Sequence, residues 1–290
     1  CRSGSGGVGD DMGAFTSRNP GLDLSAATVF AAASRALKGY NDDLSERALR
    51  QSKRLLEEAT ALIADRPGDN RTWGGGPATP GATLELFIST GEEQYRDKFL
   101  ELLWPSLDRF VSFSLLTALD AIPYMDAAYR EKLRPYVIKY REYIEKLESD
   151  NPYGVPIGLG NWAGAGEVLN FGTTVCFASK YFPDIIEADH AFKTANWLFG
   201  CHPYHNYSFV AAVGAARPKA VFYGNNRADF SFIPGNVAPG VLFRKPDHFE
   251  NYDDWPFLWG QNEGTIAGNT SYLIFGSAFR DLMNLIKPGD

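Results

Sequence analysis

The sequence predicts an all-α fold of about eight helices, mostly paired, with long loops gathered at one end of the scaffold. Three observations carry this prediction. Apolar residues recur at helical spacing along most of the chain. Strand-like alternation is confined to two short runs, YSFVAAVGA (207–215) and KAVFYG (219–224). Three Gly/Pro-rich stretches carrying Trp or Tyr separate the helices, and uncapped loops of that length in a compact domain are usually functional.

Residues 1–20, CRSGSGGVGDDMGAFTSRNP, are Gly/Ser-rich and aperiodic and read as a loop. LDLSAATVFAAASRALKGY (22–40) is Ala-rich and helical, with Asp23 or Ser25 as its N-cap. LSERALRQSKRLLEEATALIA (44–64) sets Leu44, Ala48, Leu55, Ala59, Leu62 and Ile63 on one face of an amphipathic helix. RPGDNRTWGGGPATPG (66–81) is a loop, because three consecutive glycines bracketed by prolines forbid a regular element. Helices follow at about 80–90 and 92–103, joined through STGEEQY, then a less regular one at about 107–120. A strong helix occupies about 126–149, where Pro135 marks a kink or the true start. NPYGVPIGLGNWAGAG (151–166) is the second large loop. Helices near 167–181 and 187–199 lead into a Gly/Pro/aromatic region, 200–262, and the last helix spans 265–286. No linker, repeat array or low-complexity tail divides the chain, so residues 1–290 read as a single helical domain.

Composition removes several function classes. A net charge of −7 opposes a nucleic-acid surface, which needs clustered Lys and Arg. No apolar run approaches the roughly 20 residues that span a bilayer, and no signal segment is present. Cys1, Cys176 and Cys201 form no metal or redox spacing, and Cys176 lies in an apolar stretch that reads as core. Cys1 followed by RSGSGG suits a processed lipoprotein start or an internal cut; the lack of an initiating Met favours the cut. A secreted or periplasmic location is favoured over a cytoplasmic one. His202 and His205 in CHPYHNY have a spacing for two zinc ligands, but no third ligand accompanies them and Pro203 breaks the helix that would align them. No calcium ligand run, phosphate loop or Gly-x-Ser-x-Gly elbow occurs, so no metal or cofactor is expected. Aromatics are plentiful, with 20 Phe, 14 Tyr and 6 Trp, and those in Gly/Pro-rich loops suit stacking on sugar rings.

The segments NPGLDLSAATVFAAASRAL, NRTWGGGPATPGATLELFISTGEEQY, NPYGVP, NWAGAGEVLN and ANWLFGCHPYHNYSFVAAVG occur in that order. A closing block follows: GNNRADFSFIPGNVAPG, PDHFENYDDWPFLWGQNE and GTIAGNTSYLIF. In order and spacing, over nearly the whole chain, these resemble glycoside hydrolase family 9, the inverting β-glucanases and relatives. The resemblance implies an (α/α)6 barrel of six helical hairpins, twelve helices in all, with the active site at the loop end. It implies an oligo- or polysaccharide substrate and places the general acid at Glu263. Two departures stand out. Where the family has two histidines before an arginine, this chain has Asn225 and Asn226 before Arg227, and asparagine carries no charge. The family's Asp-Ala-Gly-Asp segment, which holds the water-activating base, has no counterpart: Asp10 and Asp11 in GDDMG lie too close to the Ala-rich helix. With the helix count short of twelve, the barrel is expected to be incomplete in this chain and to be finished by an upstream segment or a second chain.

Inverting hydrolysis uses two carboxyl groups roughly 6.5–9.5 Å apart, one protonating the leaving oxygen and one activating water. The acid must stay protonated, so apolar burial or a nearby negative charge must raise its pKa. Trp255, Phe257, Leu258, Trp259, Asp253 and Asp254 lie close to Glu263 in sequence and suit that role. The bland alternative is a first-turn helix acid, favoured by the macrodipole that would lower its pKa. Arg227 can fork onto a sugar hydroxyl or a charged substituent, or tie down a loop. Asn225 and Asn226 can bind hydroxyls, or simply form a turn after Gly224. Trp162 in GNWAGAG and Trp73 in TWGGG have glycine neighbours that leave one indole face open, for a sugar or as loop anchors. Tyr252 and Asp254 resemble the acidic-aromatic loop before the acid, with Asp254 bonding substrate, orienting Glu263, or solvated. The leading expectation is the C-terminal portion of an inverting β-glucan hydrolase; the alternatives are a non-catalytic carbohydrate-binding protein on the same scaffold and a polysaccharide lyase using Tyr204, His205 and Arg227.

Overall fold

A computed structural model of the chain describes residues 18–65, 80–157, 164–201, 206–214, 217–218, 233–240, 243–244, 249–250 and 264–286. These residues divide into two compact units, 1–106 and 107–290. Among them are nine α-helices and two short two-stranded pairs, so the all-α expectation holds.

In the first unit, α1 (Pro20–Leu37) begins earlier than the Asp23 or Ser25 cap predicts. Asn19 is the cap: its side-chain oxygen accepts from the Gly21 N–H at 2.9 Å, and Pro20 presets the first helical φ. Asp23 therefore falls in the first turn, where Arg18 pairs with it at 2.7 Å. α2 (Asp42–Ala64) packs along α1, and α3 (Gly81–Thr90) packs against both. Leu24, Ala27, Leu55, Ala59 and Ala82 form their shared core. The buried seam of α2 is Ala48, Ser52, Leu55 and Ala59, whereas Leu44 and Ile63, expected on that face, are exposed. Small residues let the two helices approach closely, and Ser52 Oγ donates across the seam to the Ala27 carbonyl at 2.7 Å. α4 (Glu93–Arg109) continues through Pro105, six residues beyond its expected end at 103.

The second unit is built around α7 (Ala165–Tyr181), a helix buried on nearly every face and packed against α5 (Val111–Asp120), α8 (Asp189–Leu198) and α9 (Ile266–Ile286). Cys176 is in its core, as expected, and burial pushes the thiol up to about 12. Gly172 lies where α7 meets α8 and α9. A Cβ there would come within 2.6 Å of Thr194 Cγ2 and 2.8 Å of Phe275. Both neighbours are buried, so the close approach requires glycine. Gly172→Val is expected to lower stability by about 2–3 kcal/mol through overpacking, measured by urea denaturation.

α6 (Ala127–Ser149) is continuous through Pro135, which is neither the start nor an interruption. Asp126 fixes the start by accepting from the Tyr129 N–H at 2.8 Å. Its buried stripe, Tyr129, Leu133, Val137, Tyr140 and Ile144, ends unexpectedly on a carboxylate, Glu148. The Tyr129 hydroxyl donates to the Ala118 carbonyl at 2.8 Å, tying α6 to α5. Of the two strand runs, KAVFYG lies outside the described residues. YSFVAAVGA contributes only β1 (Tyr207–Ser208), parallel to β2 (Arg217–Pro218), and a bridge from Val210 to Val237. The run turns instead at Ala212, whose φ of 62° is left-handed. β3 (Phe243–Arg244) and β4 (Phe249–Glu250) pair antiparallel.

Candidate active site

In the second unit the starts of α5, α7 and α9 open onto one cavity of about 560 Å³. α5 contributes Ser112 and Phe113; α7 contributes Ala165, Gly166, Glu167 and Asn170; α9 contributes Ala267, Gly268 and Ser271, with Thr265 just ahead of it. Tyr143 of α6 and the segment Val237–Pro239 complete the described lining. Phe113 is 85% exposed, an unburied aromatic face on the rim. Burial, then the Glu167 carboxylate, holds the Tyr143 hydroxyl above the usual phenol range, and a hydrogen bond with Ser112 draws it partly back. The lining thus pairs aromatic surface with a carboxylate, an amide and hydroxyls. That combination suits a flat, hydroxyl-rich ligand, which offers an apolar ring face and donors at its edge.

Backbone hydrogen bonds fix the far wall. The Ala165 N–H donates to the Pro239 carbonyl at 2.8 Å, and Gly164 bridges Gly240. Gly164 has φ 83°, and a Cβ on it would overlap Ile157, so this entry into α7 is restricted to glycine. The 233–240 segment is held from behind: the Ala211 N–H donates to the Asn236 carbonyl at 2.9 Å, and the Ala238 N–H to the Phe209 carbonyl at 2.8 Å. Phe209 packs on the buried Trp197 ring of α8, with centroids 4.5 Å apart. Asn269, in the first turns of α9, accepts from the Val237 N–H at 2.8 Å and donates to Asn236 Oδ1 at 2.9 Å. α9 is capped by Thr265, whose Oγ1 accepts from the Gly268 N–H at 3.0 Å. Thr265 is thus the cap of α9, and Glu263 precedes it by two residues in the sequence.

Glu263, Arg227, Asn226, Asn225, Trp162, Tyr252, Asp254 and Trp73 all lie outside the described residues. So do Asp10, Asp11, Tyr204, His202 and His205. Gly164 and Thr265, on the cavity lining, are two residues along the chain from Trp162 and Glu263 respectively. Sequence reasoning missed Ser112, Phe113, Tyr143, Glu167 and Asn170. One signal was available for Phe113: it falls off the Val111–Ser114–Leu115–Ala118–Leu119 face of α5, an apolar residue on the wrong side. Among the described residues no group of three or more His, Cys, Asp or Glu side chains could hold a metal ion, and no helix is long and apolar enough to cross a membrane.

The fold is shared with solved structures of low sequence identity. A metagenome-derived glycoside hydrolase family 9 endoglucanase matches at TM-score 0.66 and 20% identity, over 88% of this chain and 51% of its own. AaCel9A in complex with cellobiose-like isofagomine matches at TM-score 0.68 and 15% identity, over 92% of this chain and 56% of its own. The endoglucanase from the termite Nasutitermes takasagoensis matches at TM-score 0.67 and 16% identity, over 92% of this chain and 66% of its own. The chain thus spans about half to two thirds of the length of these structures. No curated protein matches. The (α/α)6-barrel class is borne out at this partial coverage. The profile of glycosyl hydrolase family 9 covers residues 12–275, and the chain belongs to that family.

Proposed function

We propose that this chain carries the proton-donor side of an inverting β-glycosidase site acting on a β-linked glucan or a related saccharide. Glu263 is the general acid, and the base aspartate comes from a segment or second chain outside these 290 residues. One observation carries the reading: Thr265, on the cavity lining, is two residues from Glu263, so their Cα atoms are at most about 7 Å apart. Family membership and the endoglucanase structures sharing the fold support the reaction class. Phe113, Tyr143, Glu167 and Asn170 supply a platform and hydrogen-bonding groups for the sugar. Arg227, Asn226, Asn225, Trp162, Tyr252, Asp254 and Trp73 are further substrate contacts in this reading. The outer face of α9 leaves Ile266, Leu273 and Ile274 exposed, and we assign it to the completing segment.

The test compares this chain with a longer polypeptide that adds an upstream Asp-Ala-Gly-Asp segment, using β-1,4-gluco-oligosaccharides. The chain alone is expected to bind without turnover. The longer form is expected to hydrolyse, releasing the α-anomer first, as followed by proton NMR. Release of the β-anomer would exclude the inverting mechanism. Binding without turnover by both forms would point to the non-catalytic carbohydrate-binding alternative, and an unsaturated product from a uronate-containing oligosaccharide, assayed in parallel, to the lyase.

A further inference from the structure

Among the described residues that line the cavity, Glu167 is the only one with a charged side chain. It lies half-buried in the first turn of α7, and Asn170 follows it three residues on, one helical turn along the same face. Around them the described lining is neutral: Ser112 and Phe113 from α5, Tyr143 from α6, Thr265 and Ser271 from the α9 end, and the apolar stretch 237–239. No Lys, Arg or His occurs among these lining residues. Tyr143 is set against Phe171, with ring centroids 5.9 Å apart. Its hydroxyl is held above the usual phenol range by burial and then by the Glu167 charge, so the field of that carboxylate reaches across the cavity lining. Apolar walls screen a charge less than water does, which strengthens its effect on any ligand beside it.

We propose that Glu167 determines the charge preference of this cavity, selecting a β-linked glycan that carries a protonated amine, such as a 2-amino-2-deoxyglucose unit, over the neutral glucan, and disfavouring a uronate; this rests on the reading of the cavity as a saccharide site. A carboxylate accepts a hydrogen bond from a sugar hydroxyl and from a sugar ammonium alike. The second bond carries charge on both sides and is the stronger. A uronate brings a second negative charge to the same wall, and like charges in a cavity of low polarity repel. Asn170, neutral and one turn along, can both donate and accept, so it serves hydroxyls without altering the balance of charge.

The preference can be read from binding alone. Calorimetric titration of the full chain compares three β-1,4-linked oligosaccharides of equal length: one of glucosamine, one of glucose and one containing glucuronate. At pH 5.5, where the sugar amine is protonated, the glucosamine oligomer is expected to bind about five- to tenfold more tightly than the glucose oligomer, and the glucuronate oligomer at least about fivefold more weakly. Glu167→Gln should bring all three Kd values within about twofold of one another, with Glu167→Ala as a second variant should the amide perturb folding. The wild type supplies a further readout. Raising the pH to 9 discharges the amine while Tyr143 stays protonated, so the glucosamine preference should disappear. A preference that persists in a Glu167 variant with native circular dichroism would overturn the assignment, as would a variant that lowers only the unfolding temperature, the mark of an acid that serves the first turn of α7. Equal binding of the three oligomers by the wild type would overturn the charge selection and leave the saccharide reading standing. Binding of none of them would remove both.

Discussion

Replacing Glu263 by Gln in the polypeptide that supplies the base is expected to lower kcat for unactivated β-1,4-gluco-oligosaccharides by about 10²- to 10⁴-fold. The oligosaccharide Kd should change by less than about threefold, because glutamine keeps the volume and an acceptor oxygen and loses only the transferable proton. A sugar alkoxide is a poor leaving group, so the proton must be delivered as the glycosidic bond breaks. The deficit should therefore track the leaving group. With a dinitrophenyl glycoside, whose phenolate departs unaided, the loss should shrink to less than about tenfold. The alkaline limb of the wild-type rate profile, which reports ionisation of the acid, should vanish in the variant. Thr265 takes the capping role on α9, and Gly264 is pressed against the Asn236 amide, so Glu263 is not needed to cap the helix. An unchanged kcat for both leaving groups would refute the assignment.

The helices were legible because their determinants are local. The stripe Tyr129, Leu133, Val137, Tyr140 and Ile144 follows helical spacing, and Asp126 precedes it as a cap, so α6 was found within about two residues. The misplaced boundaries had non-local or competing causes. Asn19 outcompeted Asp23 because Pro20 already fixed the first turn. Pro135 was read as a kink or the true start, and the helix before it was ended at 103, yet α6 runs through Pro135 and α4 through Pro105, since packing of the buried stripe outweighs one lost hydrogen bond. The cavity was less legible. Ser112, Tyr143, Glu167 and Val237 come from four separated stretches, and only tertiary packing brings them to one lining. Glu263 and Arg227, which lie outside the described residues, were named for a different reason: the order of motifs in the family resemblance points to them, not any property of their own spacing.

Glu148→Ala is expected to destabilise the second unit by about 1–3 kcal/mol, the cost of removing the buried acceptor from a cluster whose Lys193 ammonium is itself partly hydrated. Glu148 takes the last position of the buried α6 stripe, where an apolar residue would be expected, and its side chain is only 8% exposed. Both carboxylate oxygens are used: one accepts from His190 Nδ1 and the other from Lys193 Nζ, each at 2.8 Å. The cluster thereby pins the end of α6 to α8, the helix whose Trp197 supports Phe209 and the cavity wall. Removing the carboxylate leaves the His190 ring nitrogen without its partner, while the Lys193 ammonium keeps only Asp189, 3.7 Å away, and water. Glu148→Gln, which retains an acceptor oxygen, should cost roughly half as much. The alkaline behaviour supplies a second readout. Burial pulls the Lys193 ammonium down, but the Glu148 hydrogen bond and charge, with Asp189, outweigh it and leave the pKa raised. A raised folded pKa means this contribution is fully present below the unfolded lysine value, near 10.4, and is lost as pH climbs through the folded value. Urea denaturation at pH 8 and pH 11 should therefore show Glu148→Ala costing less at the higher pH, because the wild type has by then surrendered part of what the variant lacks. A cost below about 1 kcal/mol at pH 8 would mean that the cluster does not hold α6 to α8.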